Sequence, residues 1–84
     1  MMKVDIHGMA FMEATLEICG RIEEAYAQGE DSVKIIHGHN RGTSIRKYVR
    51  SDMIRDLKKY NTNVPKINLD CLDPGVTVVK FENT

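Results

Sequence analysis

Hydrophobic positions along the chain follow strand spacing in four short segments. Residues 3–6 (KVDI) and 32–37 (SVKIIH) are rich in β-branched residues and each stops near a glycine, which is typical of strands. Residues 64–69 alternate weakly and include Pro65 near their start, as an edge strand does. Residues 76–81 (VTVVKF) give the strongest strand signal. The pattern therefore predicts four strands.

Two longer segments between the first three strands have helical spacing. The first predicts one apolar stripe and ends at Gly29, which suits a left-handed helix terminus. The second begins after a polar turn in which Thr43 or Ser44 is available as the N-cap, and its apolar residues recur every fourth position. The two stripes consist of Met12, Leu16, Cys19, Ile22 and Tyr26, and of Ile45, Val49, Met53 and Leu57.

The resulting order βαβαββ predicts an α/β fold. Two strand–helix alternations imply parallel strands with right-handed crossovers, and the last strand, which follows the turn at residues 73–75, is expected to run antiparallel. With only two helices, a two-layer sandwich with a mixed four-stranded sheet is favoured over a sheet covered on both faces. The length of 84 residues predicts a single domain, 1–84.

Composition places the chain among ordinary globular domains. Apolar residues make up 42% and charged residues 29%, which argues against disorder. No apolar run is long enough for a membrane span and the N-terminus lacks a signal-peptide pattern, so we expect no membrane partner and a cytoplasmic location. Cys19 and Cys71 are expected to be buried thiols rather than a disulfide.

The formal net charge of zero conceals two oppositely charged segments. Residues 1–33 carry a net charge of −5, and residues 41–60, which include the second helix, carry +5. Concentrated positive charge of this kind indicates a surface for phosphates.

All three histidines follow predicted strands. His7 comes after the first strand, and His37 and His39 come after the second. Parallel strands end at the same edge of a sheet, so these side chains are expected to be neighbours at the edge where α/β sheets bind ligands. Asp5 and His7 lie two residues apart and share one face, and a carboxylate beside an imidazole is an arrangement used in general acid–base catalysis.

The segment from His37 to Thr43 (HGHNRGT) indicates a phosphate-binding loop. Glycines after both histidines let the backbone turn sharply, and the loop amides lead into the N-terminus of the basic helix. The expected phosphate-binding residues of the two turns and the helix are Gly8, Gly38, His39, Arg41, Gly42, Thr43, Arg46, Lys47 and Arg50.

Simpler interpretations of the same residues remain open. A histidine after a strand is often only a surface or capping residue, and charge on a helix is often only solvated. The histidines with Asp5 could also hold a metal, although no HxxxH or HxH spacing on one rigid element supports a metal site. Tyr48 and Tyr60 could stack bases or belong to the core.

The motifs resemble those of the small MutS-related (Smr) domain family. Residues 4–9 (VDIHGM) resemble its LDLHG motif, and residues 35–38 (IIHG) followed by Gly42 and Thr43 resemble its HGxGxG motif. The resemblance extends from Val4 to Phe81. It implies a two-layer fold like the C-terminal domain of translation initiation factor three. It also implies nuclease activity on DNA or RNA, which in some members acts at ribosomes.

The resemblance makes Asp5 and His7 the catalytic pair and places His37 with Gly38 and Gly42 in a phosphate-facing loop. We therefore expect an endonuclease that favours RNA over DNA, with His37 binding or protonating the phosphate. No cofactor is expected to be required, and activation by Mg²⁺ or Mn²⁺ is left open, as is a metal-dependent or small-molecule phosphate enzyme. The rival hypothesis is a non-catalytic module that binds RNA or ribosomes.

Overall fold

The computed structural model describes residues 1–38, 43–60 and 66–82. The second helix, α2, spans residues 43–60 and has an α-helical part at each end, Thr43–Lys47 and Met53–Tyr60, around a π-helical turn at Tyr48–Asp52. The remaining elements are β1 (Met2–Asp5), α1 (Phe11–Ala27), β2 (Ser32–Ile36), β3 (Ile67–Asp73) and β4 (Val76–Phe81).

The four strands form one mixed sheet in the order β1-β2-β4-β3. β1 and β2 are parallel, and β4 is antiparallel to both β2 and β3. The predicted antiparallel last strand is therefore confirmed, and it lies inside the sheet next to β2. β3 occupies the edge, as predicted. It spans Ile67–Asp73, and residues 64 and 65 at the start of the predicted strand lie outside the described residues.

The helices and one face of the sheet enclose a single core. Val4, Val33, Ile35 and Val79 point into it from the strands and pack with buried side chains of both helices. Apart from the buried Ser32, residues that alternate with them along the strands are exposed or half-buried, so most of the other face of the sheet is open in the described part of the chain. The prediction of a two-layer α/β sandwich with a mixed four-stranded sheet is confirmed.

The stripe predicted for α1 is wrong in its rotation about the helix axis. Met12 and Leu16 are 76% and 74% exposed, and the buried residues are Ala14, Ile18, Ile22 and Ala25. Two small alanines at the contact allow the helix to lie close to the sheet, whereas the larger Met12 and Leu16 are left outside. Ile22 belongs to both the predicted and the observed stripe, so the sequence pattern is compatible with either rotation of the helix.

The stripe predicted for α2 is confirmed, because Ile45, Val49, Met53 and Leu57 are all buried. A spacing of four residues over-rotates an α-helix by about 40° at each step, so four such residues would drift away from the core. The π-helical turn at Tyr48–Asp52, in which the Met53 amide donates to the Tyr48 carbonyl, is wider and counteracts that drift.

Both cysteines are free thiols, Cys19 half-buried and Cys71 exposed. The expected burial of Cys71 is wrong, and that of Cys19 is only partly met. Among the described residues, no helix is long and apolar enough to cross a membrane.

Candidate active site

The ends of β1 and β2 bring the two histidine–glycine turns together. Asp5 is in register with Ile36, and the Ile6 amide donates to the Ile36 carbonyl over 3.0 Å. A Cβ built on Gly38 would lie 3.5 Å from the Cβ of His7. The two turns, thirty residues apart in sequence, are therefore neighbours at the carboxyl edge of the parallel pair, as predicted.

Asp5 and His7 form a hydrogen-bonded pair on the open side of this edge. His7 Nδ1 lies 2.5 Å from Asp5 Oδ1, and the His7 amide donates to the same oxygen over 3.1 Å. The side chains are 52% and 69% exposed, respectively. The hydrogen bond from His7 lowers the pKa of Asp5, so the carboxylate stays ionised and accepts the Nδ1 proton.

This geometry leaves the other ring nitrogen of His7 available. Nε2 has no hydrogen-bond partner within residues 1–38, 43–60 and 66–82. A neutral imidazole with its proton on Nδ1 carries a lone pair on Nε2, so this atom can accept a proton from a substrate. The predicted orienting role of Asp5 is consistent with these contacts.

The backbone amides of His37 and Gly38 are engaged inside the protein. Both donate to the carbonyl of Gly75, over 3.1 Å and 3.0 Å. The amide of Gly38 is therefore not free for a phosphate, contrary to our expectation for this part of the loop. Gly38 has a positive φ of 76° and packs between His7 and Gly75. Its contribution is that its backbone can lie close to both residues.

His37 is 1% exposed and both of its ring nitrogens have partners. Nδ1 donates to the Gly38 carbonyl over 2.8 Å, because a carbonyl can only accept. Nε2 lies 2.9 Å from Thr77 Oγ1, which itself accepts from Arg50 Nε over 3.2 Å. Because burial favours the neutral ring and Nδ1 holds its proton, Nε2 is the acceptor, and the Thr77 hydroxyl donates to it.

The surroundings of His37 disfavour its protonated form. Burial lowers its pKa, and the positive charges of Arg50 and Arg46 act in the same direction, against the Gly38 carbonyl and Asp73. A buried neutral ring with both nitrogens occupied cannot contact a phosphate from this position. The placement contradicts the expected phosphate contact, and it makes His37 a residue that supports the loop beside His7.

The arginines of α2 also hold the protein together at this edge. Arg50 donates to the Asp73 carbonyl over 2.9 Å, in addition to Thr77, and Arg46 makes a longer contact of 3.4 Å with the Pro74 carbonyl. Both therefore fix the turn between β3 and β4. Lys47 is exposed and has no ion-pair partner in the described residues, so of the three basic residues predicted on α2 it is the freest to contact a phosphate.

Gly8 lies beside the Asp5–His7 pair with a φ of 81° and open space around it. The remaining predicted loop residues are only partly covered by the structure. His39, Arg41 and Gly42 lie outside the described residues, and Thr43 opens α2.

Tyr48 is a core residue. Its ring is 7% exposed and packs edge-to-face on Phe11, with ring centroids 5.8 Å apart. Its hydroxyl donates to Asp56 over 2.9 Å and lies 3.3 Å from Cys19 Sγ, and burial raises the pKa of Tyr48. The core interpretation of Tyr48 is confirmed, and the side chain of Tyr60 lies outside the part of the chain that the structure describes.

Sequence reasoning missed Thr77 and Gly75, which connect β4 and the turn before it to the second histidine turn. A signal was present for Thr77, since it shares the inward face of β4 with Val79 and Phe81 and so is a polar residue at a core position. Where side chains are described, no three histidine, cysteine, aspartate or glutamate residues come together as metal ligands would.

The protein is therefore an α/β sandwich with an imidazole–carboxylate pair at the carboxyl edge of its parallel strands. Comparisons with known proteins identify the family to which it belongs. The family model described as Smr domain matches residues 4–82. A similar solved structure is the crystal structure of the Smr domain of Thermus thermophilus MutS2. It has a TM-score of 0.63 and 28% identity, and the match covers 99% of this chain and 100% of that one. The comparison with curated proteins finds no match.

The chain belongs to the Smr domain family, because the family model covers nearly all of it. This family is nuclease-related, which supports a function connected with nucleic acid.

Proposed function

We propose that this protein is an endonuclease that cleaves phosphodiester bonds in nucleic acid, with RNA as the favoured substrate. The observation that carries the proposal is the Asp5–His7 pair, in which a 2.5 Å contact orients an exposed imidazole at the ligand-binding edge of the sheet. Membership of a nuclease-related family supports the same conclusion.

On RNA, His7 acts as the general base. Nε2 takes the proton of a 2′-hydroxyl, the 2′-oxygen attacks the adjacent phosphorus, and the bond from phosphorus to the 5′-oxygen breaks. The leaving oxygen takes a proton from water, and the protonated His7 returns its proton to solvent. Asp5 stabilises the imidazolium that forms in between. The products are a 2′,3′-cyclic phosphate and a 5′-hydroxyl.

The buried contacts behind His7 keep the pair in position. Gly38 packs against His7. A chain of hydrogen bonds connects the Gly38 carbonyl to β4 and α2 through His37, Thr77 and Arg50. In this proposal His37 is a positioning residue, and the proton transfer belongs to His7. Gly8 is exposed beside His7 and is available to contact a substrate phosphate.

The chemistry proposed for RNA requires no metal, because the nucleophile is part of the substrate. Hydrolysis of DNA lacks that internal nucleophile, so nicking of DNA would call on an activated water, for which Mg²⁺ or Mn²⁺ is the expected aid. We place the activity in the cytoplasm, with ribosome-bound RNA as one substrate to be tested.

The test is a cleavage assay with end-labelled single-stranded RNA, structured RNA and DNA, in EDTA and separately in Mg²⁺ or Mn²⁺. Wild type is compared with His7→Gln, Asp5→Asn and the double variant Asp5→Ala/His7→Ala. Lys58→Gln, at an exposed position of α2, is the matched surface control. We expect wild type and Lys58→Gln to cut RNA in EDTA and all three site variants to lose on the order of 10²-fold or more in rate. Equal cleavage by wild type and the double variant would contradict the proposal.

The rival function is a module that binds RNA or ribosomes without cleaving. The observation in its favour is that both members of the pair are exposed and that the described residues offer only one imidazole with a free nitrogen. A binder retains its affinity for RNA after His7→Gln and shows no product with any substrate in the panel. An endonuclease retains binding after the same substitution but loses a measurable product.

A further inference from the structure

The open face of the sheet carries a row of side chains that leads to the Asp5–His7 pair. On β1, Lys3 and Asp5 alternate with buried Val4 and point to this face. On β2, Lys34 lies between buried Val33 and Ile35 and points the same way. This face is therefore continuous with the candidate active site and separate from the basic helix α2.

Two lysines stand directly opposite each other on this face. Lys3 is in register with Lys34 across the parallel strands β1 and β2. Neither has a carboxylate partner in the described residues, in contrast to Lys80 on β4, whose Nζ lies 3.6 Å from Asp70 Oδ2. Like charges at directly opposed positions destabilise a sheet, so this pair has a cost in the free protein that an anion would relieve.

The next row of the open face is suited to a base rather than to a phosphate. Asp5 is in register with Ile36, which is in register with Val76 on β4, and both apolar side chains are half-buried. This row is two residues, or about 6–7 Å, from the lysines along the strands. A splayed-out base can pack on Ile36 and Val76, whereas a base inside a duplex cannot reach them.

We propose that the open face binds a single strand of RNA, with Lys3 and Lys34 holding phosphates next to the one presented to His7 and with Ile36 and Val76 contacting a neighbouring base. The inference deepens the proposed endonuclease function and rests on it. It moves the substrate track from α2 to the sheet, because Arg46 and Arg50 are engaged with carbonyls of the turn between β3 and β4. Lys47 marks the rival track along α2.

The test measures binding of a single-stranded 2′-O-methyl RNA in EDTA, since methylation blocks attack by the 2′-oxygen while keeping the phosphates. Lys3→Gln/Lys34→Gln is compared with wild type, with Lys47→Gln as the rival track and with Lys58→Gln as the control. Each lost phosphate contact reduces the slope of log affinity against log salt by about 0.7 for a single strand. We expect the double variant to bind more weakly with a slope reduced by about 1.4, and Lys58→Gln to match wild type.

Two further measurements separate this binding role from a general loss of structure. The double variant is expected to unfold at a higher temperature than wild type, because the opposed charges are gone. In the cleavage assay it is expected to raise KM at unchanged kcat, whereas His7→Gln lowers kcat.

The inference is overturned if the salt slope of the lysine double variant equals that of wild type, or if only Lys47→Gln reduces the slope. Either result leaves the endonuclease proposal standing. Wild-type protein that neither binds nor cleaves any RNA or DNA overturns both. Binding of an acidic polypeptide through the same lysines, without binding of RNA, also overturns the inference.

Discussion

Gly38 is the residue whose local conformation bears most directly on His7. Its positive φ of 76° disfavours any side chain, and a Cβ there would lie 3.5 Å from the Cβ of His7. Gly29, after α1, has nearly the same φ of 80° but has open space around it. A substitution at either glycine strains the backbone, but only a substitution at Gly38 adds an atom next to the active site. Gly29 is therefore the matched control for Gly38.

We predict that Gly38→Ala and Gly29→Ala each destabilise the fold by about 1–2 kcal/mol, because both place a Cβ in a left-handed conformation. Only Gly38→Ala is expected to reduce cleavage, since relief of the backbone strain at Gly38 shifts the turn that packs on His7, whereas Gly29 has open space around it. Urea denaturation and the RNA cleavage rate, measured on both variants, check this. Equal loss of cleavage in both would contradict the contact.

His37 makes the stability of the fold depend on pH. Burial lowers its pKa in the folded state below the ordinary value of about 6.5, so the unfolded chain binds more protons under mildly acidic conditions. The contribution is fully present above about pH 6.5 and is lost as the pH falls toward the folded-state pKa.

We predict that the free energy of unfolding decreases as the pH falls below the ordinary histidine pKa of about 6.5, by at most about 1.4 kcal/mol per pH unit for this one group. His37→Gln, which cannot titrate, is expected to have a shallower dependence than wild type below that pH. Denaturant titrations at several pH values measure both. An equally steep dependence in the variant would assign the effect to other groups.

At the scale of elements, strand order decides what surrounds the second turn. The sequence predicts that β4 is antiparallel, but it does not predict that β4 lies next to β2, because that choice depends on packing across the whole sheet. This adjacency places Thr77 beside His37, forty residues away, and buries the ring. The position of His37 after a strand suggested a catalytic role, and nothing in the sequence indicated its contact with Thr77.

The two helices show which patterns predict rotation about an axis. The stripe at Ile45, Val49, Met53 and Leu57 is correct because no second series of large apolar residues at helical spacing competes with it in that segment. In α1, large side chains at Met12 and Leu16 compete with a second stripe that includes two alanines. Close packing favours the smaller residues, and side-chain hydrophobicity alone does not reveal this.

We predict that Thr77→Val destabilises the protein by about 1–3 kcal/mol, because it leaves the buried Nε2 of His37 without a donor and removes an acceptor from Arg50. Thr15→Val makes the same chemical change at an exposed hydroxyl that, within the described residues, bonds only to the Met12 carbonyl, so we expect a change within about 0.5 kcal/mol there. Urea denaturation of both variants checks the difference. Equal effects would mean that the buried hydroxyl has no special role.

For the whole molecule, the two oppositely charged segments become neighbours, because α1 packs against α2. The acidic segment includes α1, whereas the basic residues of α2 lie partly on the turn between β3 and β4 and partly in solvent. The sequence predicted the Asp5–His7 pair correctly, because two-residue spacing on a strand fixes a shared face. It did not reveal the opposed Lys3 and Lys34, because strand register depends on the folded sheet.

The central claim is that the Asp5–His7 pair performs the chemistry, and the most direct measurement is cleavage of one end-labelled single-stranded RNA in EDTA by wild type and His7→Gln purified in parallel. A matched substrate with 2′-deoxyribose throughout serves as the control for the nucleophile. We predict that wild type cuts the RNA to give a 2′,3′-cyclic phosphate, that it leaves the deoxy substrate intact, and that His7→Gln leaves both intact while keeping its affinity. Cleavage of the RNA by His7→Gln at the wild-type rate would contradict the account.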